Sequence, residues 1–116
     1  MNALVSDPIA PETESLVIQQ LNALAHASRL NIFRELTRVF DRDGAQGLAA
    51  GELAKRMQLP APTLSFHIKE LSQAGLVSSE KIGRSIIYRV NGKNIRSLLD
   101  FLLEDCCTES GSGECC

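Results

Sequence analysis

The chain has 116 residues, of which 44% are hydrophobic and 22% charged, and its formal net charge is −2. This length and composition predict one globular domain, and no apolar run approaches the roughly 18 residues that a transmembrane helix needs. The N-terminus lacks the basic start and apolar core of a signal peptide, so we expect a cytoplasmic protein with no membrane partner. Thiols stay reduced in that compartment, which favours metal binding or redox sensing over a disulfide framework for the four cysteines.

Basic residues are concentrated in the second half of the chain, before a C-terminal acidic segment. Residues 51–96 contain eight Lys and Arg against three Glu, whereas residues 97–116 contain five acidic residues and no basic one. The basic segment can therefore approach a polyanion such as DNA, and the C-terminal segment cannot.

Apolar spacing divides the chain into a leader, a folded domain and a tail. We expect a flexible leader over residues 1–12, a domain over residues 13–104 and a cysteine-bearing tail over residues 105–116. Within the domain, apolar residues at helical spacing predict a first helix over residues 12–26. A second helix follows at once, with Ser28 as its N-cap.

The next stretch, GLAAGELAKRMQLPAPTLSFHIKELSQAGLV, predicts two short helices joined by a tight turn. The first covers about residues 51–57 and the second residues 62–74. Pro62 suits the first turn of a helix and Gly75 suits the position just beyond its end, so both ends are defined independently of the apolar spacing. This pattern predicts a helix-turn-helix.

Alternating apolar residues after Gly75 predict a β-hairpin, with strands over residues 76–81 and 85–90 and a basic tip. A closing helix follows, and its broad apolar face indicates burial against a second subunit. The predicted fold is mainly α with a small β-hairpin: a winged helix-turn-helix of about five helices and a two-stranded wing. We expect a homodimer formed mainly through the first and last helices.

The second helix of the pair has the geometry that can enter the major groove of double-stranded DNA. Its candidates for contact with bases are Thr63, Ser65, Phe66, His67 and Lys69. Hydroxyls can hydrogen-bond to base edges, an apolar ring can contact a thymine methyl, and lysine can contact guanine or phosphate. At the hairpin tip, Lys81 and Arg84 would reach the flanking DNA backbone or minor groove.

Two alternatives accompany this interpretation. Short helix pairs are common, and a pair that only packs would show the same apolar spacing. For His67, the alternative to reading a base is a half-buried position in which the ring bonds to a nearby backbone group.

The chain resembles the ArsR/SmtB family of winged-helix metalloregulators in the segments ALAHASRLNIFRELT, GELAKRMQLPAPTLSFHIKELSQAGLV and GRSIIYRV. The likeness spans about residues 16–103. It implies a homodimeric repressor that leaves its operator DNA when a metal or metalloid binds. One departure concerns the sensing site: the best-known arsenic sensors of the family carry a cysteine in the first helix of the helix-turn-helix, and the matching stretch GLAAGELAKRM has none.

All four cysteines lie in the tail segment DCCTESGSGECC, at Cys106, Cys107, Cys115 and Cys116. Thiolates are soft ligands, so a cysteine-only cluster selects a thiophilic ion such as trivalent arsenic, antimony, cadmium, zinc or Cu(I). We expect the first pair directly after the closing helix, with a seven-residue spacer flexible enough to bring the second pair back to it.

This tail resembles that of arsenic-responsive family members that place cysteines beyond the last helix. The resemblance implies arsenite as the effector, antimony as a possible one, three of the four thiolates as ligands and no organic cofactor. Zinc or another thiophilic metal, and thiol-based redox sensing, are the alternatives that the residues leave open.

A catalytic cysteine is disfavoured by the local charges. Cys106 directly follows Glu104 and Asp105, at the negative end of the predicted helix. Both influences disfavour the thiolate that a nucleophile needs, whereas a bound metal ion supplies its own positive charge. The sequence therefore predicts a binding protein and not an enzyme.

Overall fold

The computed structural model describes residues 11–40 and 46–110, and within these ranges the side chains of residues 12–40 and 46–104. The described part contains five helices and three strands: α1 (Pro11–Leu24), α2 (Ala27–Arg38), β1 (Leu48–Ala49), α3 (Ala50–Met57), α4 (Ala61–Gln73), β2 (Val77–Ile82), β3 (Ser85–Val90) and α5 (Gly92–Ser110). Over these residues no helix is both long enough and apolar enough to cross a bilayer. The predicted winged helix-turn-helix fold is confirmed.

Helix α1 begins earlier than the sequence indicated, at Pro11, so the end of the predicted leader is helical. Proline is favoured in the first helical turn, where its missing N–H would have no partner anyway. Glu12 and Glu14 follow in that turn, where negative charge stabilises the helix dipole. The remainder of the predicted leader, residues 1–10, lies outside the described residues.

The N-cap of α2 is His26, and the prediction of Ser28 was wrong. The His26 backbone is extended, with φ −148° and ψ 127°, and its Nδ1 accepts a hydrogen bond from the backbone N–H of Ser28 at 3.2 Å. An imidazole nitrogen thus performs the capping role that serine or aspartate oxygens usually perform.

The turn of the helix-turn-helix places Gln58 in the left-handed region, with φ 56°, between α3 and α4. Helix α4 then ends as predicted, because Gly75 adopts φ 79° just beyond it and its N–H bonds to the carbonyl of Ser72. The Asn94 side-chain amide donates to the Gly75 carbonyl at 2.8 Å, which ties the start of α5 to the end of α4.

The sheet is antiparallel with strand order β1-β3-β2, so the predicted two-stranded wing gains a third strand. Strands β2 and β3 pair from Val77 opposite Val90 to Ile82 opposite Ser85. The two-residue turn between them has Gly83 at φ 63°, which suits a tight hairpin. Strand β1 pairs with the other edge of β3, with Leu48 opposite Tyr88, and so joins the wing to α3.

The core lies between α2, α3, α4 and the sheet. Its fully buried large side chains are Ile32, Leu36, Leu53, Leu64, Leu71 and Leu76. It is largely aliphatic, with Phe33 and Tyr88 as its aromatic members. Because α4 contributes Leu64, Ile68 and Leu71 to this core, its opposite face is held in a fixed orientation toward solvent.

Helix α5 continues to Ser110, so Cys106 and Cys107 lie within the helix and not beyond its end as predicted. The segment LLEDCCTES contains neither glycine nor proline, and the next glycine is Gly111, so no residue stops the helix earlier. Cys115 and Cys116 lie outside the described residues.

Replacement of Gly47 by alanine is expected to weaken the pairing of β1 with β3. A Cβ there would collide with the Tyr88 carbonyl oxygen and approach the Ile87 side chain to 2.8 Å. We expect a loss of about 1–3 kcal/mol in the free energy of unfolding, measured by chemical denaturation. Gly51→Ala is the matched control, because a Cβ on Gly51 meets no atom within 4 Å. A loss of the same size in both variants would contradict the close approach at Gly47.

Candidate nucleic-acid interface

Helix α4 exposes a polar and cationic face opposite its buried residues. Thr63, Ser65, Phe66 and Lys69 are all exposed, as predicted. The Phe66 side chain is 55% exposed, which is unusual for a large aromatic residue in a small domain. The face therefore combines hydroxyls, one cation and one apolar ring, which are the groups that can contact base edges and a thymine methyl.

His67 does not share this face. It is 6% exposed, and its ring centroid lies 4.8 Å from that of His26 at the start of α2. Its Nδ1 is buried without a hydrogen-bond partner, so this nitrogen does not form the predicted backbone bond. The ring packs against His26 and the neighbouring Phe66 ring, so it is buried and does not form part of the exposed face of α4.

Burial lowers the pKa of His67 below its ordinary value of 6.5, and the neighbouring His26 ring and Arg29 guanidinium lower it further. Glu70 acts in the opposite direction. Desolvation disfavours the charged imidazolium, so His67 is neutral in the folded protein near pH 7.

The free energy of unfolding is therefore expected to fall as the pH falls below about 6.5. In that range the unfolded chain takes up a proton at His67 that the folded chain binds less readily, and proton uptake then favours unfolding. We expect His67→Gln to lose less stability than the parent protein between about pH 7.5 and pH 5.5. Chemical denaturation at both pH values measures this difference, and equal losses in the two proteins would contradict the burial effect.

The wing presents its two predicted basic residues to solvent. Lys81 lies near the end of β2 and Arg84 in the turn, and both are exposed. Arg84, Ser85 and Ile86 line a cavity of about 220 Å³ together with residues 49–51 at the start of α3. The tip of the wing is thus a cationic edge next to the helix-turn-helix.

Two arginines near this surface form ion pairs within the protein. Arg89 on β3 pairs with Glu80 on β2 at 2.6 Å. Arg56 on α3 pairs with Glu52 and with Glu35 on α2, each at 2.9 Å, and these bonds raise its pKa. Arg56 therefore ties α3 to α2, and Lys81 and Arg84 remain the exposed cations of the wing.

The predicted thiolate site lies at the far end of α5 and beyond it. Cys106 and Cys107 occupy consecutive positions of the α5 backbone, and Cys115 and Cys116 lie past the described residues. Among the side chains that are described, no group of three or more His, Cys, Asp or Glu is placed to hold a metal ion.

Sequence patterns did not indicate the His26–His67 ring pair. The two rings belong to helices that are separated in the chain, and contacts of this kind leave no local spacing signal. The residues that neighbour each histidine in the sequence give no indication that it contacts the other.

A family model described as a helix-turn-helix domain matches residues 24–80, which include α2, α3, α4 and part of β2. The chain is 31% identical over 93 residues to the transcriptional regulator KmtR of Mycobacterium tuberculosis, covering 80% of the chain but only 66% of that protein. It is 30% identical over 100 residues to the arsenical resistance operon repressor of Bacillus subtilis, covering 84% of the chain and 88% of that protein.

Solved structures share the fold. An ArsR-like transcriptional regulator from Rhodococcus sp. RHA1 superposes with a TM-score of 0.68 at 28% identity, covering 84% of the chain and 85% of that structure. Fold, exposed α4 face and wing define a winged-helix transcription regulator. The chain belongs to the ArsR family of winged-helix transcriptional regulators.

Proposed function

We propose that the protein is a homodimeric repressor that binds operator DNA and is released when trivalent arsenic, or antimony, binds thiolates of its C-terminal cysteines. The observation that carries DNA binding is the exposed, polar and cationic face of α4. The observation that carries the effector is a donor set made only of cysteine, at Cys106, Cys107, Cys115 and Cys116.

Helix α4 is suited to the major groove because its three buried leucine and isoleucine anchors fix its orientation. Thr63 and Ser65 lie in its first half and can hydrogen-bond to base edges. Phe66 would meet a thymine methyl, an interaction that also explains an exposed aromatic ring on a surface otherwise polar. Lys69, one turn after Ser65, would reach guanine or phosphate.

The wing would contribute affinity more than sequence preference. Lys81 and Arg84 are exposed at its tip, and the carboxylate of Glu80 is engaged by Arg89. Cations that neutralise phosphates release counterions from DNA, whichever bases lie below. Arg84 therefore positions the protein on the backbone while α4 reads the bases.

A homodimer is supported by apolar side chains that α1 and α5 leave exposed. These are Leu16, Ile18, Leu21, Leu99, Leu102 and Leu103, each at least 42% exposed. Apolar surface of this extent on two helices marks a protein interface. A two-fold dimer would present two copies of α4 to the two halves of a palindromic operator.

The cysteine donor set fits a thiophilic effector. Trivalent arsenic and antimony bind three thiolates, and soft thiolate ligands favour such ions over hard cations. Cys106 and Cys107 supply two thiols on consecutive positions of α5, and Cys115 or Cys116 would supply the third. The relative from Bacillus subtilis, an arsenical resistance operon repressor, supports this choice of effector over zinc.

The position of the first cysteine pair in α5 supports a coupling between effector binding and DNA binding. Cys106 lies four residues after Leu102, and Cys107 four residues after Leu103, so the pair continues the helix rows of the proposed dimer interface. An effector shifts an equilibrium only by its different affinity for two states. We propose that the occupied tail fits the dimer arrangement that does not bind DNA.

The salt dependence of operator binding tests the DNA contacts. We expect Arg84→Gln to reduce the slope of log affinity against log salt by roughly 0.9 for each phosphate that the variant no longer neutralises, with little change in sequence preference. Ser65→Ala is expected to reduce the sequence preference and to leave the salt slope unchanged, because it removes a hydrogen bond to a base and no charge. The probe is fluorescence anisotropy with promoter DNA and a scrambled duplex.

Arg34→Gln is the matched control for the loss of one charge, since Arg34 is exposed on α2 and away from α4 and the wing in the chain. It should change neither the slope nor the preference. If Arg84→Gln and Ser65→Ala both behaved like this control, α4 and the wing would not be the DNA-binding surface.

A further inference from the structure

A cavity of about 260 Å³ lies between α1, the first turn of α2 and α4, away from the wing. Ile18 and Ala23 form its apolar wall, and its polar lining comes from Ser15, Gln19, Asn22, Arg29 and Glu70. The cavity therefore brings one guanidinium, one carboxylate, two amides and a hydroxyl to the same small volume. None of these side chains belongs to the proposed DNA surface or to the cysteine tail.

The guanidinium of Arg29 is poorly satisfied by the protein. Its Nε is buried and has no hydrogen-bond partner. Its Nη1 donates to the carbonyl oxygen of Ala23 at 3.4 Å, which is long for a bond from a charged donor. A guanidinium has five N–H donors, and this long bond from Nη1 is the side-chain bond that Arg29 forms among the described residues, so donors of its terminal nitrogens remain for a ligand in the cavity.

Glu70 lines the same cavity and does not supply that partner. No ion pair joins Glu70 to Arg29 among the pairs formed by the described residues. Both charges nevertheless act on His67, whose pKa Arg29 lowers and Glu70 raises. Two opposite charges thus border one cavity without forming an ion pair with each other.

We propose that this cavity binds a small zwitterion of amino-acid size, with its carboxylate on Arg29 and its ammonium group on Glu70. The guanidinium fork suits a carboxylate, and the Glu70 carboxylate accepts from an ammonium. Ser15 and Asn22 can hydrogen-bond to the same polar groups. A volume of about 260 Å³ is below that of most sites for drug-sized ligands, which restricts the ligand to a small molecule.

The occupied cavity would join α1 to the DNA-reading helix. Gln19 already donates from its side chain to the backbone carbonyl of Gln73, at the end of α4, at 3.3 Å. A ligand held between α1, Arg29 and Glu70 adds further links across the same gap. Its binding therefore stabilises the packing of α1 against α4, independently of any DNA or metal.

Thermal unfolding of the full chain tests the proposal, with each of the L-amino acids except cysteine as probe at about 10 mM. We expect at least one of them to raise Tm by about 4 °C or more. The N-acetyl form and the methyl ester of that amino acid each lack one of the two charges. Neither derivative should raise the Tm of the parent protein, and this comparison requires no protein variant.

Arg29→Gln and Glu70→Gln should each weaken binding of the same amino acid by about tenfold or more, measured by calorimetric titration. Arg34→Gln, exposed on the same helix as Arg29, should bind like the parent protein. The proposal fails if no amino acid raises Tm, if the charge-deleted forms act equally well, or if both cavity variants keep the parent affinity.

Discussion

Replacement of Cys106 and Cys107 by serine is expected to abolish release from operator DNA by arsenite and to leave operator affinity unchanged. Two of the three thiolates that the effector needs would be removed, and serine hydroxyls are poor ligands for soft ions. The proposed DNA surface on α4 and the wing does not involve this part of α5. Fluorescence anisotropy of the operator complex, titrated with arsenite under anaerobic reducing conditions, measures both quantities.

Cys115→Ser and Cys116→Ser serve as matched controls within the same tail. Each should retain most of the response, since the other cysteine can supply the third thiolate. Loss of the whole response in one single variant would make the replaced cysteine an indispensable ligand and would contradict this exchange. A full response in the Cys106→Ser, Cys107→Ser double variant would show that arsenite acts elsewhere.

A chain that ends at Asp105 separates a sensory site from a structural zinc site. A structural metal contributes to folding free energy, so its loss would lower Tm strongly. Among the described side chains, the buried core uses no residue beyond Leu98, so we expect the shortened protein to remain folded and to bind the operator with or without arsenite. A large fall in Tm would favour the zinc interpretation.

Charged substitution on α5 is expected to convert the proposed dimer to a monomer and to weaken operator binding by about 100-fold or more. Leu99 is 47% and Leu102 50% exposed in the single chain. Burial of a leucine side chain stabilises by about 1.5–3 kcal/mol, and in a two-fold dimer each substitution is present twice. We therefore expect Leu99→Glu and Leu102→Glu each to raise the dimer dissociation constant by about 100-fold.

Leu30→Glu is the control for the added charge, because Leu30 is 43% exposed on α2, outside the two helices of the proposed interface. Sedimentation velocity gives the oligomeric state, and anisotropy gives operator affinity. If the α5 variants stayed dimeric, the interface would lie on another surface. If they became monomeric yet bound the operator as tightly as before, the dimer would not be the DNA-binding form.

The fold could be predicted largely because its elements carry strong local signals. Apolar spacing located α4, and Pro62 and Gly75 bounded it from both ends. The hairpin was predicted to within one residue, since alternation and the Gly83 turn agree. These signals depend on neighbours in the chain, which is why they could be recognised without the structure.

The features that the sequence did not indicate depend on distant partners. Strand β1 has two residues and exists because it pairs with β3, forty positions further along. The cap of α2 uses an imidazole where a hydroxyl was expected, and the same His26 packs on His67. Pairing across the fold decided each of these features, and no local pattern reports it.

In the candidate site, too, local sequence predicted some features, and others depend on packing between distant residues. Exposure of Thr63, Ser65, Phe66 and Lys69 followed from their positions on a helix whose other face is apolar. Burial of His67 did not, because it depends on how α4 packs against the start of α2. The cavity between Arg29 and Glu70 could not be predicted from the sequence either, since residues of three helices form it.

Arsenic X-ray absorption of the full-length chain is the most direct test of a thiolate-based effector site. The protein is reduced, handled anaerobically, freed of metal and titrated with arsenite. We expect one arsenic atom per chain, surrounded by three sulfur atoms, with the sulfur signal abolished in the Cys106→Ser, Cys107→Ser variant. Arsenic that remains surrounded by oxygen, or that separates from the protein on gel filtration, would contradict the proposed mechanism of regulation.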